Sequence, residues 1–135
     1  MTTKLIKPQR LQRGDKVAIV SLSSGMLGEK RYLHKYDLGK SRLEELFGVE
    51  VVAMPHALKG IQYLYEHPEK RAEDWMQACE DNSIKAIITS IGGDDGIRLL
   101  PYIDFEVLRR NPKIFLGYSD TTAHHLMMCC AGVVS

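Results

Sequence analysis

No stretch of this chain is long and apolar enough to cross a membrane: the longest apolar run, Leu126 to Val134, is far below the ~20 residues that a bilayer demands. The opening residues, Met-Thr-Thr-Lys-Leu-Ile-Lys-Pro-Gln-Arg, lack the apolar centre of a signal peptide. Cysteine is scarce and odd in number; Cys129 and Cys130 are neighbours on a predicted helix with diverging side chains, and Cys79 stands alone, so no disulfide framework is implied. Neither sign of charge is in excess, with 18 Lys plus Arg against 17 Asp plus Glu and a formal net charge of +1. That balance gives no electrostatic drive toward nucleic acid or an anionic membrane. Tyr32, Tyr36, Tyr63 and Tyr65 are scattered amid charges without a basic stripe, which excludes a base-stacking platform. Repeats, low-complexity tracts and internal linkers are also absent. These absences predict a soluble, cytoplasmic protein whose partner is a small molecule, with no nucleic acid and no membrane. Its 135 residues suit one domain, long enough to bury roughly two-thirds of its unfolded surface.

What is present is an alternation of short apolar runs and helical patterns. Lys16 to Ser21, Glu50 to Met54, Ile84 to Thr89 and Lys113 to Leu116 read as four buried strands. Between them, Leu43, Leu46 and Phe47 recur at helical spacing ahead of Gly48, a C-terminal stop, in a helix predicted from about Tyr36. Pro68 opens another helix, with Ala72, Trp75, Met76 and Cys79 on one face. Shorter helical segments are predicted near Ile97 to Leu100 and from Asp104 to Arg110, and a last helix from Thr121 to Ala131. Strands that alternate with helices call for a parallel sheet covered on both faces, a three-layer α/β fold, because parallel neighbours need crossover connections. Val133-Val134-Ser135 looks like the start of a further strand, which points to a longer protein.

In such sheets ligands sit at the carboxyl ends of the strands. The three loops richest in Gly and Ser all fall there: Ser21 to Gly25, Ser90 to Gly96 and Gly117 to Thr122. In the last, an apolar strand breaks at Gly117, presents Ser119 and restarts as a helix, which is how a nucleophilic serine is mounted. The competing reading is that Ser119, or Asp120, caps the helix, because Ser, Asp and Thr satisfy the free N–H groups of a first turn. A nucleophile elbow in its usual G-x-S-x-G form would also want glycine where Thr121 stands. Gly92-Gly93-Asp94-Asp95-Gly96 lacks the Lys-Ser/Thr of a phosphate loop, and its two carboxylates would repel phosphate. Ser23-Ser24-Gly25-Met26-Leu27-Gly28 has serine at the first glycine of the dinucleotide fingerprint, and no acid ends the second strand. His125 and Cys129 are four apart on a helix, but two ligands do not build a closed zinc site.

Two longer segments carry more information. Gly92-Gly93-Asp94-Asp95-Gly96-Ile97-Arg98-Leu99-Leu100-Pro101-Tyr102-Ile103-Asp104 and Asn111-Pro112-Lys113-Ile114-Phe115-Leu116-Gly117-Tyr118-Ser119-Asp120, with Gly14-Asp15-Lys16-Val17-Ala18-Ile19-Val20 ahead of them, resemble the LD-carboxypeptidases and the related microcin C immunity peptidases. These are serine hydrolases with the nucleophile in a Gly-Tyr-Ser-Asp turn. The resemblance implies that Ser119 is the nucleophile and that the N–H groups of Asp120 and Gly93 form the oxyanion hole. It also implies that residues 1–135 are an N-terminal α/β domain and that a C-terminal domain supplies the Glu and His of the triad. None of His34, His56, His67, His124 and His125 falls at the family's position for the base. Neither metal nor organic cofactor is needed. The implied substrate is a muropeptide or a microcin C-type peptidyl or aminoacyl nucleotide, and the implied assembly of the full-length protein is a homodimer. The alternative is a non-catalytic nucleotide-binding or regulatory α/β domain.

Overall fold

The computed structural model describes residues 4–135. Its centre is a four-stranded parallel sheet of β1 (Lys16–Val20), β2 (Glu50–Ala53), β3 (Ile84–Thr89) and β4 (Ile114–Leu116), in the order β2-β1-β3-β4. Val17 lies opposite Val51 on one side and Ala86 on the other, and Ile88 lies opposite Leu116. The strands are apolar nearly throughout, as expected of a parallel sheet with helices on both faces, although the β3–β4 half of one face is only partly covered and Leu116 is exposed.

Alternation along each strand divides the side chains between two cores. Ala18, Val20, Ile87 and Phe115 face α3 (Pro68–Glu80), α4 (Phe105–Arg110) and α5 (Thr122–Cys130), and pack there with Ala72, Trp75, Cys79, Leu108 and Met127. Trp75 is fully buried with its ring centroid 5.3 Å from that of Phe115. Val17, Ile19, Val51 and Ala86 face the other way, toward α1 (Leu33–Phe47), which supplies Tyr36 and Leu43. Between α1 and the β3–β4 half of that face lies a wholly apolar groove of about 200 Å³, lined among others by Leu43, Phe47, Ile88 and Leu116.

The helix predicted from Tyr36 begins three residues earlier, at Leu33, and ends as expected at Gly48, whose φ of 64° gives the left-handed stop. A short helix not expected from the sequence, α2 (Ile61–Glu66), fills the connection before α3, and only Leu64 of it is buried. The strand start at Val133 is a single parallel bridge to Ile6. No helix of the described residues is long and apolar enough to cross a membrane.

Strand order places the functional loops. From β1 the chain crosses outward to β2 on one side, then returns to β3 on the other, so the sheet changes direction between β1 and β3. A crevice opens at the carboxyl ends of strands at such a point. The loops after β1, β3 and β4 therefore emerge side by side at one sheet edge.

Candidate active site

β4 ends at Leu116, Gly117 and an extended Tyr118 follow, and Ser119 begins a single 3-10 turn, Ser119–Thr121, that runs into α5. Ser119 has φ of 60°, and it is the one non-glycine residue with positive φ among those described. A side chain held in that region costs on the order of 1 kcal/mol or more and persists only where the surroundings impose it. Neither the 3-10 turn nor α5 has a side-chain cap, so the capping role expected as an alternative for Ser119 and Asp120 is not adopted. Ser119 is instead exposed, at the wall of a cleft of about 410 Å³ lined also by Ile88, Ile91, Gly92, Leu116 and Tyr118.

Thr121 of the turn itself and His125 of α5 hold the turn from behind. Thr121 Oγ1 donates to the Tyr118 carbonyl at 2.7 Å, and His125 Nε2 lies 2.9 Å from the Gly117 carbonyl. His124, one residue earlier, places Nε2 3.2 Å from the Gly96 carbonyl. A carbonyl only accepts, so both imidazoles carry their proton on Nε2. The two adjacent histidines thus brace two different loops, His125 the Ser119 turn and His124 the loop after β3. Both are committed by these bonds, and neither is bonded to the Ser119 hydroxyl. His124 is fully buried, its ring edge-on to Trp75 at 5.3 Å, and burial pushes its pKa down to about 4.

The loop after β3 lies against Ser119. A Cβ added to Gly92 would stand 3.1 Å from Ser119 Oγ and 3.5 Å from Asp120 N. Gly93 turns the other way, where a Cβ would collide with the Ser23 hydroxyl of the loop after β1. Ser24 N–H donates to the Gly92 carbonyl at 3.3 Å. The N–H of Gly93 has no protein acceptor among the described residues. Of the three residues that the resemblance points to, Ser119 and Asp120 therefore lie directly against Gly92, and Gly93 follows Gly92 on the same loop with its Cα turned toward Ser23.

Further side-chain contacts organise this edge. The Asp120 carboxylate accepts from the Ser23 hydroxyl and from the Gly96 N–H, the latter at 2.7 Å. Arg71 is fully buried on α3; its guanidinium donates to the Ser23 carbonyl at 3.1 Å and to both oxygens of Asp95 at 3.0 and 3.1 Å. Burial alone would raise the Asp95 pKa, but the hydrogen bonds and charges of Arg71 and Arg98 outweigh it and hold the carboxyl below its usual value. Arg98 is engaged by Asp95 and by the Tyr65 carbonyl. The position of Arg71 was open to inference: Arg71, Trp75 and Ala78 share the i, i+4, i+7 spacing of one buried face. The Ser23–Asp120 contact has no comparable signal, because it joins residues 97 apart in sequence.

A family model for the LD-carboxypeptidase N-terminal domain matches residues 17–135. Among curated proteins of Bacillus subtilis (strain 168), "Putative carboxypeptidase YocD" is 36% identical over 116 residues, covering 84% of this chain and 34% of its own. "Probable murein peptide carboxypeptidase" of the same organism is 35% identical over 120 residues, covering 88% and 35%. The crystal structure of an MccF-like protein from Streptococcus pneumoniae in complex with AMP superposes with a TM-score of 0.82 at 47% identity, covering 89% of this chain and 36% of that one. The chain thus spans about a third of the length of these relatives. Matched over nearly all of its length, the chain belongs to the LD-carboxypeptidase family.

Proposed function

We propose that this chain is the nucleophile-bearing domain of a serine peptidase, with Ser119 as the attacking residue. The observation that carries the reading is the backbone of Ser119: a non-glycine residue forced to φ of 60° between β4 and α5, with its side chain exposed beside the Gly92–Gly93 loop. A serine that only capped a helix would need none of that geometry.

In the proposed reaction Ser119 Oγ attacks the carbonyl carbon of an amide, and a histidine takes the hydroxyl proton and passes it to the leaving amine. The oxygen of the resulting tetrahedral intermediate is held by the N–H groups of Asp120 and Gly93. One donor from the residue after the nucleophile and one from a separate loop is the usual arrangement of such sites. Membership of the family assigns the histidine and the glutamate that orients it to a second, C-terminal domain; His124 and His125, behind the Ser119 turn, are engaged by carbonyls.

For the substrate, the murein peptide carboxypeptidase relative supports a muropeptide cut before a terminal D-alanine. The MccF-like relative that binds AMP supports a second reading, an amide-linked peptidyl or aminoacyl nucleotide. Incubating the full-length protein with an L,D-tetrapeptide and, separately, with an aminoacyl sulfamoyl adenosine discriminates between them: release of D-alanine supports the first and release of the free amino acid the second. Labelling by a fluorophosphonate tests the nucleophile itself. Labelling and hydrolysis that persist in Ser119→Ala would place it elsewhere.

A further inference from the structure

The Asp120 main chain is the proposed oxyanion donor, but its side chain does separate work. The carboxylate reaches away from Ser119 to two groups on two other loops, the Ser23 hydroxyl after β1 and the Gly96 N–H after β3. Ser23 is itself buried, and its hydroxyl packs directly on the Cα of Gly93, so closely that a Cβ there would overlap it. Gly96 is equally tight, with room for no Cβ between Asp120 Oδ2 and His124 Cε1. The loop carrying Gly92 and Gly93 is therefore fixed at both ends through one carboxylate: at Gly96 by a direct hydrogen bond, and at Gly93 by contact with the hydroxyl that the same carboxylate holds. Ser24 N–H to the Gly92 carbonyl completes the fastening on the Ser23 side.

We infer that the Asp120 carboxylate is a positioning residue for the proposed oxyanion hole, setting the distance between the Ser119 turn and the Gly92–Gly93 loop by bridging Ser23 and Gly96. The inference rests on the hydrolase reading above. It assigns Asp120 two roles that a substitution separates, because every residue at position 120 other than proline keeps the N–H while only some keep the acceptor. Asparagine retains an oxygen that can accept from both donors and loses the charge; alanine loses the acceptor altogether.

The test is steady-state kinetics of the full-length enzyme on an L,D-tetrapeptide and an aminoacyl sulfamoyl adenosine, using whichever is turned over. If the carboxylate positions the loop, Asp120→Ala lowers kcat on the order of 10²-fold, the scale of losing one oxyanion donor, with KM nearly unchanged. Asp120→Asn recovers most of that loss, and Ser23→Ala, which removes one of the two attachments, falls in between. Asp120→Ala at wild-type kcat overturns the inference. So does Asp120→Asn as slow as Asp120→Ala, since the charge and not the bridge would then matter. Should Asp120→Ala fail to fold, Ser23→Ala decides alone: a several-fold fall in kcat at constant KM supports the bridge, and an unchanged kcat refutes it. Ser119→Ala assayed and labelled alongside keeps the two claims apart. An active or labelled Ser119→Ala enzyme removes the hydrolase reading, whereas an inactive, unlabelled one beside a fully active Asp120→Ala enzyme removes only the bridge.

Discussion

His124 should remain uncharged well below the pH at which an ordinary histidine gains its proton, and the domain should lose stability because of it. The side chain is fully buried between Trp75 and the loop after β3, with Nδ1 lacking a hydrogen-bond partner among the described residues and Nε2–H donated to the Gly96 carbonyl. Desolvation lowers its pKa from 6.5 to about 4, against the smaller opposing effects of the Gly96 and Thr121 backbone and the Asp120 charge. A depressed folded-state pKa means that the unfolded chain binds a proton that the folded chain refuses. The stability that depends on neutral His124 is thus complete above pH 6.5 and is lost as the pH falls from there to about 4. Each tenfold weakening of proton binding is worth about 1.4 kcal/mol, so the loss is on the order of 3 kcal/mol, a large part of the stability of a domain this size. Two measurements on the 135-residue chain check it: an NMR titration of the imidazole Cε1–H, and urea unfolding stepped from pH 7 to pH 4. His124→Gln, which keeps a donor for Gly96 and cannot titrate, should flatten the pH dependence by about one proton. A His124 resonance titrating near 6.5, or identical pH dependence in the two proteins, would refute the reasoning. The consequence reaches the site, because the Gly96 that His124 braces is the same residue whose N–H binds Asp120.

In the full-length enzyme Ser119→Ala should reduce kcat on the order of 10⁴ to 10⁶-fold, since nucleophile and base act as a unit; near-normal turnover by that variant would refute the assignment. Gly117→Ala should destabilise the chain by roughly 1–3 kcal/mol, because its Cβ would lie 2.3 Å from Thr89 Oγ1 and 2.5 Å from Thr121 Oγ1; an unchanged urea midpoint would show that the turn yields freely. Arg71→Ala should cost about 3–5 kcal/mol, as it strips the buried partner from Asp95 and two donors from the loop after β1, and a loss under 1 kcal/mol in equilibrium unfolding would contradict that. Residues 1–135 alone should fold but hydrolyse no amide at a rate comparable to the full-length protein; equal rates would put the base among the five histidines of this chain.

The sheet was legible from residues 16–20, 50–53, 84–89 and 114–116 because a strand buried on both faces must be apolar nearly throughout, and β3 in particular is bounded where the apolar run is. The candidate site was legible for a related reason. A serine between an apolar strand and a helix has few local explanations, and the structure removes the commonest one by showing no side-chain cap there. α2 was not legible, since six residues that bury only Leu64 carry too little periodicity to distinguish a helix from a loop. The network behind the site was hidden for a deeper reason. Asp120 could be assigned only to its own turn from the sequence, because local chemistry offers an aspartate at a helix start the free N–H groups of that helix. What draws the carboxylate away is tertiary: three strands deliver three loops to one edge, and the donors it meets belong to residues 97 and 24 positions distant. Arg71 and His124 follow the same rule. Each is polar, each lies on a buried helix face, and each donates to backbone carbonyls at the ends of strands, Arg71 to Leu22 and Ser23 after β1 and His124 to Gly96, where the loop after β3 enters a 3-10 helix. The helices thus cover the sheet with mostly apolar side chains, and the polar residues on their buried faces, Arg71 and Asp74 on α3 and His124 on α5, each hold a segment that follows a strand.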